Sequence, residues 1–260
     1  MTMSRPTLLA VAHGTHDPAG PATVRALLDR VRALRPGLRV AEAYAEIAAP
    51  SLEEAAREID GPVVAVPLLL ARGYHALIDI PGRVHEVCDP GTVTMARPLG
   101  PHPLLGDALI DRLAAESRDL ASVDAVVLGA AGSSDPAGVA DVRTAARMLS
   151  RRLGRPVAHG FVAAGAPGLP EVVARVREAG ASRVAVAAYL LAPGFFHGRM
   201  AVAGADMVSP PIGAHDAVAR LILRRYDEAR ARTARSVRDT RPTVLAGSVG
   251  GPGATMRPAT

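Results

Sequence analysis

Thr7-Leu8-Leu9-Ala10-Val11-Ala12-His13-Gly14-Thr15-His16-Asp17-Pro18 joins an apolar run to a short polar loop that closes on an Asp-Pro pair. A run that is apolar on both faces reads as a central parallel strand, and the loop after it reads as the turn into a helix. The same pattern returns about 120 residues later. Ala125 to Gly129 is again apolar, and Ala130-Ala131-Gly132-Ser133-Ser134-Asp135-Pro136 lines up with Ala12-His13-Gly14-Thr15-His16-Asp17-Pro18. Two more blocks keep nearly the same displacement: Ala49-Pro50-Ser51-Leu52 with Ala166-Pro167-Gly168-Leu169, and Leu69-Leu70-Ala71-Arg72-Gly73-Tyr74 with Leu190-Leu191-Ala192-Pro193-Gly194-Phe195. So long a period is the mark of a duplicated lobe rather than of a solenoid.

Between these blocks the hydrophobic period alternates. It predicts helices over 22–34, 51–59, 80–87 and 103–118 among strands over 7–12, 39–45, 63–70 and 92–96. The second half repeats the order with strands over 125–129, 157–163 and 184–191 and helices over 139–153, 169–179 and 215–231. Strands alternating with helices imply parallel sheets covered on both faces. The expectation is therefore an α/β protein of two similar flavodoxin-like lobes, each a parallel sheet flanked by helices, over residues 1–120 and 121–232. From Thr233 the text turns to Ser, Thr, Gly, Pro and Arg without apolar period, and 233–260 reads as a disordered tail.

Composition narrows the class. The chain has 260 residues, enough for a real core, and 49% of them are apolar while only 3% are aromatic, so the core must be Ala, Val and Leu. A net charge of +5, all of the cationic side chains being arginine, favours an anionic partner such as a polycarboxylate. Nucleic acid is not expected, because no stretch interleaves aromatic with basic residues and no zinc-finger spacing is present. The single cysteine, Cys88, rules out an internal disulfide and a cysteine-only metal cage, and is expected to be a buried thiol. No signal-peptide apolar region and no membrane-length run is found, which points to a cytoplasmic protein with no membrane partner.

In an open parallel sheet, ligands bind beyond the carboxyl ends of the strands where strand order reverses. His13, Glu46 and His75 follow the first, second and third strands, so a 2-1-3 order would gather them around one opening. Two imidazoles and a carboxylate suit a first-row divalent ion, and an incomplete set leaves coordination positions for a substrate. The second lobe has Ala131, Ala163 and Phe196 at the aligned places, so the chemistry belongs to the first. His197 stands one position out of register with His75, on a loop that could face the cleft. Most of His85, His102, His159 and His215 are expected at the surface, and the Asp-Pro pairs are expected to shape turns and cap helices.

The string from His13 to Pro18, Glu46 four residues before Pro50-Ser51-Leu52, and Val66-Pro67-Leu68-Leu69-Leu70-Ala71-Arg72-Gly73-Tyr74-His75 together resemble the sirohydrochlorin chelatases of sirohaem and cobalamin synthesis, over roughly residues 7 to 231. The resemblance implies a lyase-class chelatase that inserts Fe²⁺ or Co²⁺, less readily Ni²⁺, into sirohydrochlorin. It further implies His13 and His75 as the catalytic residues, with Glu46 as third metal ligand. Arg72, Tyr74 and His16 are then the candidates for contact with the polycarboxylate macrocycle, His16 standing where relatives often have Arg or Lys. An imidazole titrating near pH 6.5 in isolation can bind a metal or accept a pyrrolic proton. No ATP is implied, since no Gly-x-x-x-x-Gly-Lys-Ser/Thr loop exists. The fused second lobe makes a monomer the expected state.

Other readings fit less of the chain. A dinucleotide-binding oxidoreductase would need Gly-x-Gly-x-x-Gly after the first strand, and a histidine phosphatase would need Arg where Ala12 stands. A non-catalytic metal or tetrapyrrole carrier would use the same residues as the enzyme, and turnover separates the two.

Overall fold

The computed structural model describes residues 5–89, 91–117 and 119–239. The first repeat runs β1 (Thr7–Ala12), α1 (Ala19–Leu34), β2 (Val40–Tyr44), α2 (Leu52–Arg57), β3 (Val63–Pro67), α3 (Ile80–Val87), β4 (Val93–Met95) and α4 (Pro103–Glu116). The second runs β5 (Ala125–Gly132), α5 (Pro136–Leu153), β6 (Val157–Ala164), α6 (Leu169–Glu178), β7 (Val184–Tyr189), α7 (Phe195–Ala201), β8 (Met207–Val208) and α8 (Asp216–Asp239). Each repeat builds a four-stranded parallel sheet, ordered β2-β1-β3-β4 and β6-β5-β7-β8. The two-lobe α/β reading and the 2-1-3 strand order both hold.

β1 shows why its sequence makes a central strand. All six of its residues are buried; Leu8, Ala10 and Ala12 join one apolar cluster and Leu9 and Val11 another, as the two-residue period of a strand requires. The first of these clusters is shared by both lobes and lies between the sheets, filled by α1, α4, α5 and α8. The other covers the outer face of the first sheet under α2 and α3, and a third covers the outer face of the second sheet under α6 and α7. The lobes are thus joined by their largest apolar surface, the dominant favourable term in folding.

The last helix of each repeat crosses to the other sheet. α4 packs on α5, β7 and β8, and α8 packs on α1, β3 and β4. Polar contacts fix the exchange: Arg225 donates from Nε to Pro98 O at 2.8 Å and from Nη2 to Leu99 O at 2.9 Å, and Tyr226 OH donates to Pro6 O at 2.7 Å. On the other side Arg112 Nε donates to Ile212 O at 2.9 Å. The sequence boundary near residue 120 marks the repeat, whereas in the packing each lobe is completed by a helix from the other.

Several local features differ from the sequence expectation. The segment after β3 is a π turn over His75–Asp79 that runs directly into α3, so His75 stands on a helical element instead of a loop. α7 and β8, of seven and two residues, were not anticipated. α8 continues to Asp239, past the change of composition at Thr233; the rest of the expected tail, 240–260, lies outside the described residues. Asp135 caps α5 as expected, accepting from Ala137 N at 2.8 Å, whereas Asp17 shapes the turn, accepting from Ala19 N at 2.9 Å one residue ahead of Pro18, the N-cap of α1. His102 and His215 are caps too, each accepting through Nδ1 from the backbone N–H two residues on. Burial, aided by nearby arginines, lowers the His102 imidazole below its ordinary range, which keeps it the neutral acceptor the cap needs.

Candidate metal centre

The carboxyl ends of both sheets open into one cleft of about 800 Å³ between the lobes. His13 and His75 line its wall on the first lobe, at the β1/β3 switch point, and the exposed Glu46 carboxylate stands beside them. One nitrogen or oxygen from each lies within 4.8 Å of the other two. The imidazoles stand edge to face with ring centroids 4.7 Å apart, and His75 Nε2 is 3.9 Å from Glu46 Oε1. Three ligands spread evenly around one ion at bond lengths near 2.1 Å stand at most about 3.6 Å apart. An ion would therefore draw the three side chains in by several tenths of an ångström, well within rotamer adjustment.

Backbone geometry brings the ligands together. Gly14 has φ +101°, and a Cβ there would lie 1.8 Å from Glu46 O, so only glycine lets the loop after β1 close on the loop after β2. Glu46 N in turn donates to His13 O at 2.9 Å. Gly132 repeats the arrangement in the second lobe, with its Cβ position 1.8 Å from Ala164 O. A register shift after Ala130 makes Ala164, rather than the aligned Ala163, the residue against which that glycine closes. Either way the second lobe keeps the scaffold and offers an alanine methyl where the first offers a carboxylate.

Behind His75 lies a chain of polar contacts that the sequence reading did not single out. Its Nδ1 is 3.0 Å from Asp79 Oδ2, one helical turn on. That carboxylate accepts the Nδ1 proton and leaves the Nε2 lone pair facing Glu46 and the cleft, a common arrangement for a metal-binding histidine. Asp79 also lies 3.6 Å from Arg83 Nη1. Arg83 forks onto Glu53 at 2.6 and 2.9 Å and donates to Ala45 O at 2.6 Å, which ties α3 to the strand end that carries Glu46. The Arg83 hydrogen bond to Glu53 draws that carboxyl below its ordinary value. The His-x-x-x-Asp spacing was the available signal.

The other candidates take different places. Tyr74 and His16 are exposed on the cleft wall, Tyr74 with its ring edge-on to His75 at 5.6 Å. Arg72 reaches the cleft, but its guanidinium grips the buried Asp141 of α5 through Nε at 2.9 Å and Nη2 at 2.7 Å, and its backbone N–H donates to the same carboxylate at 2.8 Å. It ties the lobes together, and Tyr189 OH donating to Leu70 O at 2.9 Å supports the same seam. His197 is on α7 instead of a loop; it lines the cleft while its Nε2 sits 3.0 Å from Ser209 O. His85 sits 2.6 Å from Pro81 O on α3, and His159 is half-buried beside Phe161, so neither joins the metal group. Cys88 is half-buried, with burial pushing its thiol up. No helix among the described residues is long and apolar enough to cross a membrane.

The CbiX family model matches the chain twice, over residues 7–116 and 125–229. Among curated relatives, the sirohydrochlorin ferrochelatase of Priestia megaterium is 29% identical over 195 residues, 72% of this chain and 73% of that one. The sirohydrochlorin cobaltochelatase of Methanococcoides burtonii is 28% identical over 120 residues, 40% of this chain and 92% of its own, as a single lobe would be. Among solved structures, SirB from Bacillus subtilis with Fe³⁺ superposes with a TM-score of 0.73 at 25% identity, over 91% of this chain and 98% of that one. Two matched repeats that between them take in most of the sequence establish that the chain belongs to the CbiX family.

Proposed function

We propose that the protein is a sirohydrochlorin chelatase, a lyase that inserts Fe²⁺ or Co²⁺ into sirohydrochlorin in the course of sirohaem or cobalamin synthesis. The observation that carries this is the convergence of His13, Glu46 and His75, the two histidines lining a cleft large enough for a planar macrocycle. Relatives named for both metals fit a nitrogen and oxygen donor set that accepts either. Nickel is the third candidate, and no ATP takes part.

Insertion removes two pyrrolic N–H protons as one divalent ion enters, so charge is balanced by two protons going to the protein or to water. The ion first sits on His13, Glu46 and His75 with its remaining positions open to the cleft. Pyrrolic nitrogens then replace the protein ligands in turn. As the ion moves off, the His75 Nε2 lone pair is free to take a proton, with the ring held by Asp79. His13 has no such carboxylate behind it among the described contacts and is assigned the delivery of the metal. Tyr74 and His16 border the substrate at the cleft wall, while Arg72 acts mainly by fixing the lobes around it.

The first lobe, 1–120, thus supplies the chemistry and the second, 121–232, closes the cleft, so a monomer in the cytoplasm is sufficient. The test is anaerobic metallation of sirohydrochlorin with Co²⁺ or Fe²⁺, followed by absorbance, with His13→Ala and His75→Ala in parallel. Many turnovers by the native protein and the uncatalysed rate in both variants support the enzyme. Binding without turnover would make the protein a carrier instead.

A further inference from the structure

The chain has only three Phe and four Tyr, and their placement is uneven. Tyr44, Tyr189, Tyr226 and Phe161 are buried. The three that remain, Tyr74, Phe195 and Phe196, are 63%, 71% and 36% exposed, and all three line the cleft that holds the metal ligands. Singly exposed apolar side chains need no explanation, but a protein that is poor in aromatics and spends every exposed one at a single opening presents an apolar contact surface there. Duplication sharpens the point. Phe195 and Phe196 stand at the aligned places of Tyr74 and His75, so the second lobe carries two rings where the first carries one ring and a metal ligand.

We infer that Phe195 and Phe196 form the wall on which the tetrapyrrole rests, opposite the metal ligands, so that the second lobe positions the macrocycle while the first loads the ion from one face. This rests on the chelatase reading and adds a role for the lobe that lacks ligands. The rings are 5.6 Å apart between centroids and inclined at 66°, an edge-to-face pair that presents one continuous apolar surface to a flat conjugated ligand. Arg199, one turn further along α7, places its guanidinium carbon 5.8 Å from the Phe195 centroid. The two phenylalanines are positioning residues: they touch the substrate and take no proton and bind no metal.

The experiment measures binding of metal-free sirohydrochlorin by fluorescence, Co²⁺ binding without tetrapyrrole, and steady-state kinetics, for the native protein, Phe195→Ala/Phe196→Ala and Phe195→Tyr/Phe196→Tyr. Two aromatic contacts of ordinary strength amount to about a tenfold change in affinity or more. The expected result is a Kd and KM raised about tenfold in the double alanine variant, with kcat and Co²⁺ affinity close to native and the tyrosine pair restoring binding. Native sirohydrochlorin affinity in a folded double alanine variant would overturn the platform alone, as would a parallel loss of Co²⁺ affinity. Failure of the native protein to bind sirohydrochlorin at all would overturn the chelatase reading and this inference with it.

Discussion

Replacing Asp79 tests the contact that turns His75 toward the metal. The carboxylate sits 3.0 Å from His75 Nδ1, and it is the only acceptor found for that nitrogen among the described contacts. Without it the ring can rotate or carry its proton on Nε2, where the ion must bind. Loss of such a partner costs about 10–100-fold in metal affinity, or about 1.4 to 2.7 kcal/mol. Two features place the variants within that range. Arg83, 3.6 Å away, already balances part of the Asp79 charge, and Asn keeps the shape and one acceptor oxygen. Asp79→Asn is therefore expected to weaken Co²⁺ binding about tenfold, and Asp79→Ala to approach the upper end. The assay is anaerobic Co²⁺ titration against a competing chelator, read by ligand-field absorption, with melting temperature as the check on folding. A folded Asp79→Ala protein that binds Co²⁺ within about twofold of native would refute the assignment of Asp79 as the residue that orients His75.

Gly14→Ala should cost on the order of 3–5 kcal/mol, since it combines a left-handed backbone with a Cβ 1.8 Å from Glu46 O, and thermal unfolding should show it. Gly82→Ala is the matching control: this glycine is exposed inside α3 with open space around it, so the substitution should stabilise by about 0.5–1 kcal/mol and leave turnover unchanged. Acid stability should report the α8 anchor at Glu228. Burial alone would raise this carboxyl, but hydrogen bonds from Arg97, Arg224 and Arg225 outweigh it and bring it down to about 2. A carboxyl depressed on folding contributes stability that is fully present above its unfolded value and is lost as pH falls through the folded one. The stability difference between native protein and Glu228→Gln should therefore be constant above about pH 5 and shrink between about pH 4.5 and 2, as denaturant unfolding across that range would reveal. A difference that does not change with pH would remove the ion-pair explanation.

Much of this architecture is written in the chain. Strands buried on both faces, such as β1 and β3, leave continuous apolar runs, and the matched Gly14 and Gly132 with their Asp-Pro turns expose the duplication. Once a 2-1-3 order is assumed, His13, Glu46 and His75 follow from their places after successive strands. The exchange of α4 and α8 between the sheets is not legible, because an amphipathic stripe says that a helix covers apolar surface but not whose. Arg72 illustrates a similar limit. Its charge suggests an anionic substrate, yet the anion it meets is Asp141, a residue of the other lobe that only folding brings alongside. Asp79 was legible in principle, one turn after His75, but the region read as a loop before a helix instead of one continuous helical segment.

The most direct test of a one-lobe metal centre that feeds the cleft is a single-turnover transfer. The protein is loaded anaerobically with one equivalent of labelled Co²⁺, mixed with sirohydrochlorin and an excess of a chelator that captures any free ion, and the label in the tetrapyrrole is counted. The account requires close to one labelled ion per chain to reach the macrocycle, and none with His13→Ala or His75→Ala. Full transfer by both variants, or capture of all the label by the chelator in the native protein, would contradict it.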